Sequence, residues 1–323
     1  MTFFQQIHLS KVILVPSYNQ PKLCPNASWN ANATVFADRN ITGADPSGIF
    51  LTIHNRIYLA GKGAHRIQIW SNNNQIPTQT IFGNLSYPQS IFVTFVGDIF
   101  VDNGFNYSRV DKFVHDTNTS IPVMYVNSTC HGLFVDITNT LYCSAFQNHQ
   151  VIKRWLDDHS NLSTIVAGNG TAGNTLSMLN EPYGIFLNKY LDLYVADARN
   201  DRIQLFVLGQ RNGTTVAGNG SINITITLSY PTTIVLDAEN YLFIVDNYNK
   251  RIVGSGPNGF RCIVGCDGGG TGSNQLTNLC SLSFDSYGNL FVTDWGNDTI
   301  LKFSFTTSSC GKFQLHSSNF SSM

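Results

Sequence analysis

The sequence predicts an all-β fold, a six-bladed β-propeller of four-stranded antiparallel blades, and three observations carry that reading. One strand pattern recurs six times at intervals of 42 to 52 residues. Each copy is cut into short β-branched and aromatic runs by Gly, Asn and Asp, and a copy of the last strand stands ahead of the first repeat. Periods of roughly 40 to 50 residues belong to stacked blades. Short apolar runs between turn residues belong to antiparallel meanders.

The fourth copy shows the elements most plainly. It reads Pro182-Tyr-Gly-Ile-Phe-Leu-Asn188, then Asp192-Leu-Tyr-Val-Ala-Asp197, Arg202-Ile-Gln-Leu-Phe206 and Thr214-Thr-Val-Ala-Gly218. The opening slot recurs at Pro46, Pro88, Cys130, Pro182, Pro231 and Leu279. The second strand recurs from Ile57-Tyr-Leu-Ala60 to Leu290-Phe-Val-Thr293, and the third opens at Arg66, Arg109, Gln150, Arg202, Arg251 and Thr299. One four-stranded blade cannot bury both its faces, so six copies imply six blades packed around an axis. Thr34-Val-Phe-Ala37 matches the fourth-strand slot of Thr164-Ile-Val-Ala167, yet the last copy stops after its third strand. An N-terminal strand is therefore expected to complete the last blade, leaving no open edge. The expected layout is an N-terminal extension over residues 1–24, the propeller over 25–310 and a C-terminal tail over 311–323.

These residues resemble the NHL repeat family, which joins a Pro-x-Gly-Ile strand to Leu-Tyr-Val-Ala-Asp, Asn-x-Arg-Ile and Val-Ala-Gly strands. The resemblance covers residues 34–305. The fourth and fifth copies match best, while the first, third and sixth lose the Asp or the Arg. Some propellers of this kind are metal-dependent lyases, which makes a relative of the peptidyl-hydroxyglycine amidating lyases an alternative to a binding protein.

Composition bears on partners and compartment. Charged residues make up 12% of the 323 residues and the net charge is −1, so nucleic acid is not an expected partner. No stretch of 18 apolar residues appears, and no transmembrane segment is expected. Asn-x-Ser/Thr acceptor sites stand at Asn26, Asn32, Asn40, Asn84, Asn106, Asn118, Asn127, Asn161, Asn169, Asn212, Asn219, Asn223, Asn297 and Asn319. Chance placement in this composition gives about 6. That excess, with seven Cys, points to an extracellular or secretory location, although Val12-Ile13-Leu14-Val15 ahead of Pro16 is too short for a signal-peptide core. The expected disulfides are Cys130 with Cys143 across adjacent strands of the third blade, Cys24 with Cys310 clipping the closing blade, and Cys262 with Cys266 closing a turn, which leaves Cys280 unpaired.

Candidate chemistry is sparse. Asp197, Asp246 and Asp294 end their second strands, and a recurring slot is read as serving a recurring turn rather than catalysis. Only Glu181 and Glu239 exist, so a glycosidase carboxylate pair has little support. His65 and His149 share a turn slot, and His131 alone falls on an innermost strand, short of the three or four ligands a zinc site wants. Gly168-Asn-Gly170, Gly218-Asn-Gly220 and Gly268-Gly-Gly-Thr-Gly272 lack the helix and Lys of a phosphate-binding loop and read as inter-blade turns. No catalytic residue, metal or cofactor is expected. The loops joining second to third strands share one end of the channel and carry Phe105, Tyr107, Phe146, Arg199, Tyr248 and Trp295. Aromatic and Arg side chains dominate binding energy at interfaces, so this rim is the expected contact surface. The sequence reading is thus a monomeric extracellular protein- or glycan-binding scaffold without catalytic activity. Its alternatives are the lyase or a structural ectodomain fragment of a larger receptor.

Overall fold

The computed structural model describes residues 16–71, 74–115, 117–158, 162–221, 225–266 and 276–310, with the backbone alone described at Phe105. Its strands form six four-stranded antiparallel sheets. The innermost strands are Pro46–Leu51, Ile91–Val93, Cys130–Val135, Pro182–Leu187, Pro231–Leu236 and Leu279–Phe284. Each packs against the next and the sixth against the first, so the sheets close into a ring around a channel. Small residues permit the close approach. A Cβ on Gly184 would stand 2.6 Å from the Thr232 carbonyl of the next blade, and one on Gly132 would stand 2.8 Å from the Ile185 nitrogen.

Ring closure follows the expected route. Thr34–Ala37 pairs with Thr299–Phe303, giving the sixth blade its outer strand from the opposite end of the chain. Trp29 anchors the same segment: its indole N–H donates to the Gly288 carbonyl at 2.7 Å, and its ring packs on Phe243, Phe284 and Phe305. All three expected disulfides are formed, and Cys280 is left as a buried free thiol. Three disulfides indicate an oxidising compartment. Among the described residues no helix is long and apolar enough to cross a membrane.

The recurring polar slots hold the blades in register. Asp197 accepts the Asn180 amide on one carboxylate oxygen, and on the other the Asn200 amide and the Arg202 Nε at 2.7 Å. Asp246 repeats this with the Ser229 amide, Asn249 and Arg251, and Asp294 with the Asn278 amide and Asn297. These carboxylates are consumed by turn geometry, as their repetition implies. A second slot links successive blades. His65, His149, Asp201 and Asp298, all at φ of 49° to 54° before a third strand, accept the amides of Tyr87, Glu181, Tyr230 and Asp45. Those four partners are also left-handed, at φ 51°. The conformation is rare for residues other than Gly. Here it recurs because each clasp needs it.

Residues 17–21 run beneath the ring. Tyr18 inserts its ring against Phe92, Phe134 and Phe186, which with Phe50 line that end of the channel. The Asn19 side chain donates to the carbonyls of Thr52 and Phe284, and Gln20 to those of Leu236 and Asp237. This strap gives the channel a floor. Access is left to the opposite end, the mouth, where second strands pass into third strands.

Candidate functional site

The mouth is built by one position of the repeat. The residues immediately after the opening slot are Ser47, Gln89, His131, Tyr183, Thr232 and Cys280. In five of the six blades the inner strand bulges just past the opening slot. A bulge breaks the alternation of side chains and re-aims one of them. Most of these residues gather around the channel: the Gln89 amide donates to the Ser47 hydroxyl at 2.8 Å and to the Tyr183 hydroxyl at 2.9 Å, while Cys280 Sγ lies 3.3 Å from Ser47 Oγ and 3.6 Å from the Tyr183 hydroxyl.

Burial governs the ionisation of this layer. It raises the Cys280 thiol and carries the Tyr183 phenol well above its usual range. It also lowers His131 to about 3, with a smaller push from the Lys62 charge. Thiol, phenol and imidazole are therefore all neutral near pH 7. His131 lies flat on Phe146, ring centroids 4.0 Å apart, and its buried Nδ1 has no hydrogen-bond partner among the described residues. The channel's free volume is about 90 Å³. That holds a few waters.

An aromatic run leads outward from this layer. His131 meets Tyr183 edge-on at 4.4 Å, Tyr183 meets Tyr230 at 6.4 Å, and Tyr230 stacks on Tyr248 at 4.6 Å with 11° between planes. Tyr248 remains 64% exposed. Beside the stack, the Arg199 Nε donates to Glu181 Oε2 at 2.6 Å, and the Tyr230 hydroxyl donates to the same oxygen at 3.3 Å. That carboxylate raises Arg199 further and, after burial, raises the Tyr230 phenol.

The rim residues expected from the sequence therefore separate. Phe146, Arg199 and Tyr248 join one surface on blades three to five. Tyr107 instead lies under the Arg109 guanidinium, 4.9 Å from its ring centroid, and Trp295 stands 45% exposed on blade six. The Phe105 side chain lies outside the described residues, as do Asn161, Asn223, Asn319 and Gly268-Gly-Gly-Thr-Gly272. Asn84, Asn127, Asn169 and Asn219 sit exposed in the loops between blades at the mouth end, Asn40 sits exposed in the short helix Arg39–Thr42, and Asn297 spends its amide on Asp294. Sequence reasoning missed Gln89, Tyr183, Tyr230 and Cys280. For Gln89, Tyr183 and Cys280 the signal is the slot after each opening position, which is uninformative until the inner strand is known to turn it inward, while Tyr230 stands one residue ahead of its opening position.

No protein-family profile matches the sequence, and no curated protein matches it. Solved structures do. An auxiliary nutrient binding protein from Bacteroides thetaiotaomicron is similar at a TM-score of 0.62 and 16% identity, over 90% of this chain and 76% of that one. A virginiamycin B lyase from Staphylococcus aureus is similar at 0.56 and 11%, over 87% and 88%. A gluconolactonase from Xanthomonas campestris is similar at 0.61 and 11%, over 91% and 99%. At such identities the likeness shows the fold, and no family match supports the NHL pattern in particular. The expectation of a chain without catalytic activity is corrected by these neighbours. A lyase and a lactonase share the propeller with a binding protein, so scattered acids and histidines around the ring are not grounds for assigning it to binders alone.

Proposed function

We propose that the chain is an extracellular recognition module that takes a protein or glycan partner at the mouth of its channel. The observation that carries this is the Tyr230–Tyr248 stack beside the Arg199–Glu181 pair. One ring face and a guanidinium are open to solvent, while the groups behind them are already held. Side chains fixed before binding lose little entropy on contact, and Tyr, Trp and Arg are the usual anchors. The strap under the ring supports the same reading, since it leaves the mouth as the open end.

The test is the Tyr248→Ala, Trp295→Ala double variant, screened beside the native chain on arrays of glycans and extracellular proteins. Capture by the variant is expected to weaken at least tenfold while thermal melting is unchanged. Equal capture by both proteins would place recognition elsewhere.

A second reading, catalysis at the polar layer, draws on the unbonded Nδ1 of His131 and on the lyases and lactonases that share the fold. Turnover of a hydroxyglycine-extended peptide or of a lactone by purified protein, lost on His131→Phe, would establish it.

A further inference from the structure

A pocket of about 230 Å³ opens beside the aromatic stack, lined by Asn174, Arg199, Asn200, Asp201 and Asn219 among others. Its hydrogen-bonding groups divide into spent and free. Arg202 in its wall gives Nε to Asp197 and its other nitrogens to the carbonyls of Asn174, Thr175 and Met178. Asn200 gives its amide to Asp197 and the Gly173 carbonyl. By contrast, the side chains of Asn174 and Asn219 make no hydrogen bond among the described residues, and both are exposed. Arg199 engages Glu181 through Nε alone, which leaves its two terminal nitrogens, and Asp201 accepts the Tyr230 amide on one oxygen and keeps the other.

The charges decide what such a pocket takes. Arg199 cancels Glu181, Arg202 cancels Asp197, and Asp201 has no cationic partner among the described residues. The balance is slightly negative, which disfavours a carboxylated or sulfated ligand. The free groups include both donors and acceptors: two amides, one guanidinium fork and one carboxylate oxygen. A partner made of neighbouring hydroxyls, each donating and accepting, satisfies such a set. An apolar side chain from a protein would leave the set unpaired, at a cost for every group desolvated. Tyr248, stacked on Tyr230 and near enough to Arg199 to act on its charge, adds an exposed apolar face beside that arginine of the pocket wall, suited to the C–H face of a sugar ring.

We propose that blades four and five carry a subsite for a neutral saccharide, with Tyr248 as the stacking face and Arg199, Asn174, Asn219 and Asp201 bonding the hydroxyls. This rests on the reading of the mouth as the recognition surface and gives it a ligand class. Asn219 is itself a glycosylation acceptor through Ser221, and a glycan there would occupy the pocket. The experiment therefore uses the full chain carrying Ser221→Ala, secreted from eukaryotic cells. It is probed with neutral, sialylated and sulfated oligosaccharides and with a panel of extracellular proteins. In this background Asn174→Ala, Arg199→Met and Tyr248→Ala are compared after their melting temperatures are shown to be unchanged.

The expected result is capture of neutral oligosaccharides, weakened at least tenfold by each of the three substitutions. Capture of proteins alone, lost on Tyr248→Ala, would leave the mouth reading standing and overturn the saccharide subsite. Capture of charged glycans alone, or of nothing, would overturn the subsite as well. Neutral glycans captured equally by all variants would overturn the subsite and the mouth reading together.

Discussion

Asp197 and Arg202 show how a repeated residue is spent. Both are buried, and between them they tie the second strand, the third strand and the loop from the preceding blade. Burial raises Asp197 above the ordinary carboxylate range, and its hydrogen bonds and Arg202 act in the opposite direction. Removing one member of such a pair strands the other in the interior. Arg202→Met is therefore expected to cost about 3–5 kcal/mol, measured by urea unfolding. Tyr248→Ala, at an exposed position, should stay within about 0.5 kcal/mol. His131 makes a separate prediction about pH. Its folded value of about 3 lies below the ordinary 6.5, so between these values the unfolded chain binds a proton that the folded chain refuses. The stability this residue confers is fully present above pH 6.5 and is lost as pH falls towards 3. His131→Phe, which keeps the stack on Phe146, should remove a slope approaching about 1.4 kcal/mol per pH unit across that window. Unfolding free energies of the two proteins that stay parallel between pH 4 and 6 would show that His131 does not titrate as described.

At the scale of elements, the inner strands were the least legible. The sequence marks each strand by its β-branched and aromatic run, and the strands fall where those runs place them. It does not mark the bulge after Pro46, Cys130, Pro182, Pro231 and Leu279, because a bulge changes which way side chains point without changing the hydrophobic pattern. The polar layer of Ser47, Gln89, Tyr183 and Cys280 was hidden for that reason. Tyr18 was hidden for another: it lies outside every repeat and packs on the phenylalanines of three inner strands only after the ring has formed. The inner glycines follow from the same crowding. Gly184→Ala places a methyl group against the Thr232 carbonyl and is expected to cost about 1–3 kcal/mol. A melting temperature equal to that of the native chain would mean that the inner strands have room to separate.

The whole molecule is a ring whose two ends are joined, and that much was readable from Thr34-Val-Phe-Ala37 standing ahead of a last copy that lacks its fourth strand. The joint is made three times: by the outer strand of blade six, by Trp29 in the interior, and by the Cys24–Cys310 disulfide spanning 286 residues of sequence. Deleting residues 1–40 removes all three and bares the edge of Thr299–Phe303, so cooperative melting should be lost. A truncated chain melting with the native one would refute the closure. The candidate site was less legible, since Phe146, Arg199 and Tyr248 are brought together across three blades while Tyr107 and Trp295 carry the same residue signature without joining them.

The central claim is that the two faces of the ring differ, the floor sealed by residues 17–21 and the mouth presenting the recognition surface. The most direct measurement pairs Tyr248→Ala at the mouth with Tyr190→Ala on the floor face, where Tyr190 is comparably exposed at 62% in the turn between the first two strands of blade four. Affinity for the strongest partner captured by the native chain should fall at least tenfold in the first variant and stay unchanged in the second. A loss in Tyr190→Ala with full affinity in Tyr248→Ala would contradict the account and turn the molecule over.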